Sequence, residues 1–173
     1  MPRLPNIATC QRAPAGTKRH HGAMRQLRAY PVSALKDRLS VNKVIICADG
    51  AARGNPGPAA IGAIIKDEKA NLIARISRRI GITTNNQAEY QSIIAALEKA
   101  VSLGARYVEL KSDSELVVKQ LNGGYRVKNR ALQPLYQKVK QLVGSLEGFT
   151  ITHVSREQNA EADNLANRAL DTM

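Results

Sequence analysis

The sequence predicts an α/β fold, one mixed sheet with helices on both faces. Three observations carry this. Val44–Ala48 is an uninterrupted apolar run, as in a strand covered on both faces. Two more strand-like runs follow, joined by the polar turn KDEKAN, so the first half is a hairpin-linked antiparallel unit. From Asn85 onward, helical stripes alternate with short strands, which requires crossover connections and a parallel part.

The first three strands are placed at Val44–Ala48, Ala60–Ile65 and Leu72–Ile80. Asn85–Leu103 carries Ile93, Ile94, Leu97, Ala100 and Val101 at helical spacing and stops at Gly104. Tyr107–Lys111 is a strand, and Ser114–Leu121 a short helix ended by Gly123 and Gly124. Arg130–Leu146 is a helix, Phe149–Val154 the last strand, and Ala160–Leu170 the closing helix.

The compact domain spans 41–173. Residues 1–40 read as a disordered basic extension, with Pro2, Pro5, Pro14, Pro31, scattered Arg and a single aromatic, Tyr30. Such a stretch is a dispensable extension, a basic arm or an Arg-rich targeting peptide. A chain of 173 residues, 43% hydrophobic, suits one domain with an ordinary core. No apolar run approaches the ~20 residues of a membrane span. Cys10 and Cys47 form neither a disulfide framework nor a metal-binding spacing. Cys47, inside the first strand, reads as a reduced core thiol, which suits a cytoplasmic setting, with organelle targeting by the extension left open. The net charge is +12, of which residues 1–43 hold +8. That excess favours nucleic acid over a merely solvated surface.

Four acids occupy places where carboxylates are awkward. Asp49 ends the first strand, where α/β sheets build sites, although Asp before Gly also suits a turn. Glu89, in the first turn of the long helix, shares a face with Ile93 and Leu97; the helix dipole explains its position along the axis but not its inward face. Asp113 follows the fourth strand and can equally cap the next helix. Asp163, three and seven residues before Ala166 and Leu170, points to the packed side of the last helix or its edge. If the first and fourth strands are neighbours, all four converge on one sheet edge. Clustered carboxylates stay ionised only around a cation. Oxygen ligands without His or Cys select Mg²⁺, or Mn²⁺ as its mimic. Mg²⁺ held by carboxylates serves two-metal phosphodiester hydrolysis.

The motifs ADGAARGNPG, TTNNQAEY, LKSDSELVVKQLNG, VKNRALQPLY and VSREQNAEADNLA, in this order, resemble those of type 1 ribonuclease H, in the compact form of archaea and many bacteria. The resemblance covers residues 44–170. It implies the ribonuclease H-like fold: a five-stranded mixed sheet, the first three strands antiparallel and the first, fourth and fifth parallel. It implies that Asp49, Glu89, Asp113 and Asp163 are the catalytic carboxylates and bind two Mg²⁺ ions, one for the attacking water and one for the leaving 3′ oxygen. Products would carry 5′-phosphate and 3′-hydroxyl ends.

By the same resemblance, Asn85 and Asn86 touch base edges and RNA 2′-hydroxyls, a pairing that suits a carboxamide's donor and acceptor. Ala52, Gly54 and Asn55 meet the backbone; Thr84 and Asn129 hold a DNA phosphate. Thr84 or Asn85 can also serve as a helix cap, Asn129 can cap the helix that follows it, and the glycine-rich turn can be loop geometry alone. Arg156 stands where many bacterial members have a loop His; it cannot act as a base but can engage phosphate or developing charge. It can also be a solvated loop residue. His153 reads as a strand residue near the core. The family's basic handle is missing. Arg126, Lys128, Arg130, Lys138 and Lys140, with Tyr125 and Tyr136, form a patch suited to the DNA backbone or a solvated helix face.

The expectation is therefore a sequence-nonspecific endoribonuclease acting on the RNA strand of RNA–DNA hybrids as a monomer, with no membrane and no small-molecule cofactor. Two rivals stand beside it: a catalytically weak binding module of the same fold, and a nuclease of that fold acting on other duplexes. The four acids disfavour the first and the paired asparagines the second.

Overall fold

The computed structural model describes residues 41–172; the basic extension assigned to 1–40, Cys10 included, lies outside them. Ten residues, Lys43–Ala52, form β1; Gly57–Asp67 forms β2 and Leu72–Thr83 forms β3. Then come α1 (Asn85–Ser102), β4 (Tyr107–Ser112), α2 (Glu115–Leu121), α3 (Gln133–Gly144), β5 (Gly148–His153) and α4 (Ala160–Asp171), the last entered through a 3₁₀ turn, Glu157–Asn159. The sheet order is β3-β2-β1-β4-β5. β1, β2 and β3 pair antiparallel; β1–β4 and β4–β5 pair parallel, as the resemblance implied.

Lys43–Cys47 of β1 pairs with Tyr107–Lys111 of β4, so the acids following these strands emerge at the same edge. β1 outruns the predicted Val44–Ala48 because its ladder with β2 continues to Ala52↔Ala59. Asp49 therefore lies within the strand rather than at its end.

One face of the sheet carries α1, with α2 and α3 beyond it. Val44, Ile46 and Ala48 of β1 meet Ile93, Leu97 and Ala100 of α1 in a sealed core that includes Leu110, Val117 and Val139. Gly50 lets α1 approach: a Cβ there would stand 2.2 Å from the Ala88 carbonyl carbon. Tyr90, fully buried, donates its hydroxyl proton to Gln120 Oε1 at 2.7 Å, tying α1 to α2. Gly104, at φ +81°, ends α1 as predicted, since glycine adopts the left-handed region without strain. Of the predicted stripe, Val101 is exposed rather than packed.

The other face carries α4 alone. It fits closely over Gly62, where a Cβ would stand 2.1 Å from the Ala162 carbonyl oxygen. It leaves Ile45 and Cys47 half-covered, beside Lys66, Glu109, Lys111 and Glu161. The expectation of a strand buried on both faces, with Cys47 in the core, is thus corrected. Burial still pushes the Cys47 thiol's pKa up.

Helix α3 starts at Gln133, later than the predicted Arg130. Pro134 lacks the N–H that would bond the Arg130 carbonyl, so it belongs to the first turn of the helix. No helix among the described residues is long and apolar enough to cross a membrane.

Candidate active site

Asp49, Glu89, Asp113 and Asp163 gather at the sheet edge where β1 and β4 run out, beside the start of α4. Asp49 is buried, with 9% of its surface exposed. Its pKa is pushed up to about 7, first by burial and then by the charges of Asp113, Asp163 and Glu89. All three acids thus lie close enough to act on it. Glu89 is also raised, mainly by burial, while a hydrogen bond from Ser114 opposes the rise. It is the fifth residue of α1, one position beyond the predicted first turn, and half-buried.

Each of the other acids is turned toward a donor of the protein. Asn85 Nδ2 donates to Glu89 Oε1 at 3.0 Å, and Ser114 Oγ to Oε2 at 2.6 Å. Asn159 Nδ2 donates to Asp113 Oδ1 at 2.7 Å. Arg156 pairs with Asp163 Oδ1 at 3.0 Å. In this arrangement no three acidic, His or Cys side chains among the described residues converge on a point where they could hold an ion. The donor set still fits a hard cation: it is all oxygen, and a buried carboxylate raised by its own neighbours signals uncompensated negative charge. Asp49, Glu89, Asp113 and Asp163 are the side chains that would hold it.

Asp113 does not cap α2. Ser114 occupies the cap position, and the Asp113 side chain goes to Asn159 instead. Arg156 is exposed, but ion-paired to Asp163 rather than merely solvated. His153 is a strand residue as predicted, yet exposed rather than near the core, because it is the last residue of β5; its Nε2 is 3.2 Å from the Asp113 carbonyl oxygen.

The substrate-side residues divide into two groups. Thr84 caps α1 in a capping box with Gln87, and Asn85 N–H donates to Asn55 Oδ1 at 3.3 Å. That bond brings the 53–56 loop, with Gly54 at φ +102°, against the start of α1, where Asn86 also stands. This group adjoins Glu89. Arg126, Lys128 and Asn129 lie instead in the exposed connection between α2 and α3. Asn129 Oδ1 accepts from Ala131 N–H at 2.8 Å, so it shapes the turn before α3. No hydrogen bond among the described residues links it to Thr84. Arg126 lines a cleft of about 600 Å³ with Tyr125, Val127, Gln133 and Tyr136. Lys138 is ion-paired with Glu98 and so is less available to the basic patch.

Sequence reasoning missed Asn159. It is fully buried, and its Nδ2 also donates to the Ala48 carbonyl at 3.1 Å; its Oδ1 has no partner. Its spacing was the available signal. Asn159 precedes Asp163 by one helical turn, a polar residue on the face that Ala162 and Ala166 bury.

Comparison with known proteins places the chain among relatives. The family described as reverse transcriptase-like matches residues 47–169. Ribonuclease HI of Halobacterium salinarum is 45% identical over 123 residues, covering 71% of this chain and 62% of that protein. The crystal structure of ribonuclease H1 from the same archaeon matches with a TM-score of 0.75 at 42% identity, covering 76% of this chain and 100% of that one. The N-terminal ribonuclease H domain of a bifunctional protein of Mycobacterium tuberculosis gives 0.73 at 42% identity, covering 75% of this chain and 99% of that one. A ribonuclease H1 isolated from compost, solved with an RNA/DNA hybrid, gives 0.71 at 44% identity, covering 74% of this chain and 96% of that one. The chain spans only 36% of the length of the full mycobacterial protein.

Proposed function

The chain belongs to the ribonuclease H family, and on that premise we propose that it hydrolyses the RNA strand of RNA–DNA hybrids, without regard to sequence, leaving 5′-phosphate and 3′-hydroxyl ends. One observation carries the proposal: acids from β1, α1, the end of β4 and α4 come together at one edge, where burial first and then the charges of Asp113, Asp163 and Glu89 raise Asp49 to about 7. The relative solved with an RNA/DNA hybrid supports the substrate.

Asp49 and Asp113 would hold two Mg²⁺ ions, or Mn²⁺ in their place, with Asp163 completing one shell. When bound, the ions supply an attacking water of lowered pKa and a counter-charge for the departing 3′ oxygen. Glu89, fixed between Asn85 and Ser114, is set to orient a ligand near the RNA 2′-hydroxyl. Asn85 gives its Nδ2 to Glu89 and keeps its carbonyl oxygen to accept from that hydroxyl. Asn86, Gly54 and Asn55 face the hybrid from the adjoining rim. Arg156, held by Asp163, presents its remaining donors to phosphate. Thr84 and Asn129 would take a DNA phosphate, Asn129 through the amide N–H groups that its turn leaves unused. Arg126 and Lys128 would add salt-dependent contacts to the DNA backbone.

The test is cleavage of labelled hybrid, RNA duplex and DNA duplex, with Mg²⁺ and with chelator. Asp113→Asn should abolish hybrid cleavage and spare hybrid binding. Retained cleavage in that variant, or equal cutting of the DNA duplex by the unsubstituted chain, would overturn the reading.

A further inference from the structure

A second concentration of positive charge lies away from the acids. Arg75, Arg78 and Arg79 are exposed on β3, the outer strand of the sheet, and Arg168 is exposed in the last turn of α4. None of the four is in an ion pair among the described residues, although acids stand nearby. Those acids are matched elsewhere, Glu161 to Lys66 at 2.6 Å and Asp171 to Arg53.

The strand register sets out the geometry. Arg75, Ser77 and Arg79 pair with Ile64, Gly62 and Ala60 of β2, so they rise on the face over which α4 lies. Ser77 Oγ donates to the Leu165 carbonyl at 2.8 Å, which fixes the helix against the strand. Beside that contact opens a cleft of about 280 Å³, lined by Ile64, Arg75, Glu161, Asn164, Leu165 and Arg168. One wall is strand and the other helix, each carrying an unpaired guanidinium, with a carboxamide between.

Two ordinary explanations apply in part. Charges on an edge strand block pairing with another sheet, and a cation suits a helix C-terminus. Neither explains why Arg75 and Arg168 share one recess whose only carboxylate among the described residues, Glu161, is held by Lys66. Guanidinium forks match the paired oxygens of a phosphodiester and cannot lose their protons near neutral pH. The register also sets the distance from the acids. Asp49 pairs with Gly62, which pairs with Ser77, so Arg75 lies two strands across and two residues along from Asp49. That is roughly 12 Å between backbones, on the order of four steps of a duplex at 3.4 Å each.

We propose that the cleft between β3 and α4, with Arg75 and Arg168 as donors and Arg79 beside it, is a phosphodiester-binding subsite that takes the nucleic-acid backbone several nucleotides from the point of cleavage. This rests on the proposed action on nucleic acid, so the test separates the two. In an Asp113→Asn background, anisotropy is measured over a salt series with a 20-base-pair hybrid and with a 4-base-pair hybrid closed by an uncharged polyether linker, too short to reach the cleft from the acids. Arg75→Gln with Arg168→Gln should weaken binding of the long hybrid about tenfold and reduce its salt slope by about two, leaving the short hybrid unchanged. Arg75→Lys with Arg168→Lys, which keeps the charge and loses the fork, should restore the slope and only part of the affinity. An unchanged long-hybrid affinity and slope, or an equal loss for both lengths, would overturn the subsite. Cleavage of the short hybrid by the chain with Asp113 intact should survive the glutamine pair. If the unsubstituted chain cuts no hybrid, the reading of function fails, and the anisotropy still decides the cleft.

Discussion

The two faces of the sheet solve the same packing problem differently. On the α1 face, Val44, Ile46 and Ala48 lie under α1, with α2 and α3 closing the core around it, and are almost wholly removed from water. On the α4 face, a single helix is seated through Gly62 and covers only part of β1, so Ile45 and Cys47 stay half-open among charged side chains. Asp49 shares the alternation of Cys47, so the half-open face is the one that carries the buried acid. The sealed face supplies stability. The thin one leaves room for a charged edge that a sealed core would not tolerate.

Asp49→Asn should have the largest effect on this contrast. The Asp49 carboxyl moves from 3.8 to about 7 on folding, so the folded state holds its proton more tightly between those limits. Its stabilising effect is complete below pH 3.8 and is lost as pH rises toward and through 7, a loss of about 4 kcal/mol. In chelator at pH 8 the Asn variant should therefore melt well above the parent chain, with the difference vanishing near pH 4. Added Mg²⁺ should raise only the parent's melting temperature. Equal melting temperatures at pH 8 would show that Asp49 is not under strain from its neighbours.

Gly62→Ala should come next. Its Cβ would meet backbone atoms of α4, at 2.1 Å from Ala162 O and 2.5 Å from Ala166 N, so the helix must shift; a loss of about 3 kcal/mol in urea unfolding is expected. Adjacent residues on opposite faces sharpen the comparison further. Ile46→Ala, in the sealed face, should cost about 3 kcal/mol, and Cys47→Ala about 1 kcal/mol or less. Similar losses at the two positions would mean that the α4 face is as well packed as the other.

Periodicity made most of this legible. The hairpin half, the order of elements and the inward face of Glu89 followed from apolar spacing, and the ordered motifs supplied the strand pairing. What escaped was whatever depends on the partner element. An apolar run does not say how completely the elements beside it cover each face, so Cys47 reads as a core residue although its face is only half covered. Strand length at Asp49 is set by the ladder to β2, not by composition. A charged or capping residue shows in the sequence, whereas Asn159 looks like any polar residue in a loop until it is found with no solvent exposure.

Asn159 has one more consequence. A single side-chain nitrogen touches both the carbonyl just before Asp49 and the carboxylate of Asp113. It acts as a gauge between two strands to which it does not belong, and so sets the spacing offered to whatever lodges there. Lengthening that spacer by one methylene in a place with no exposed surface, as Asn159→Gln does, should therefore disturb Asp49 and Asp113 together rather than either alone.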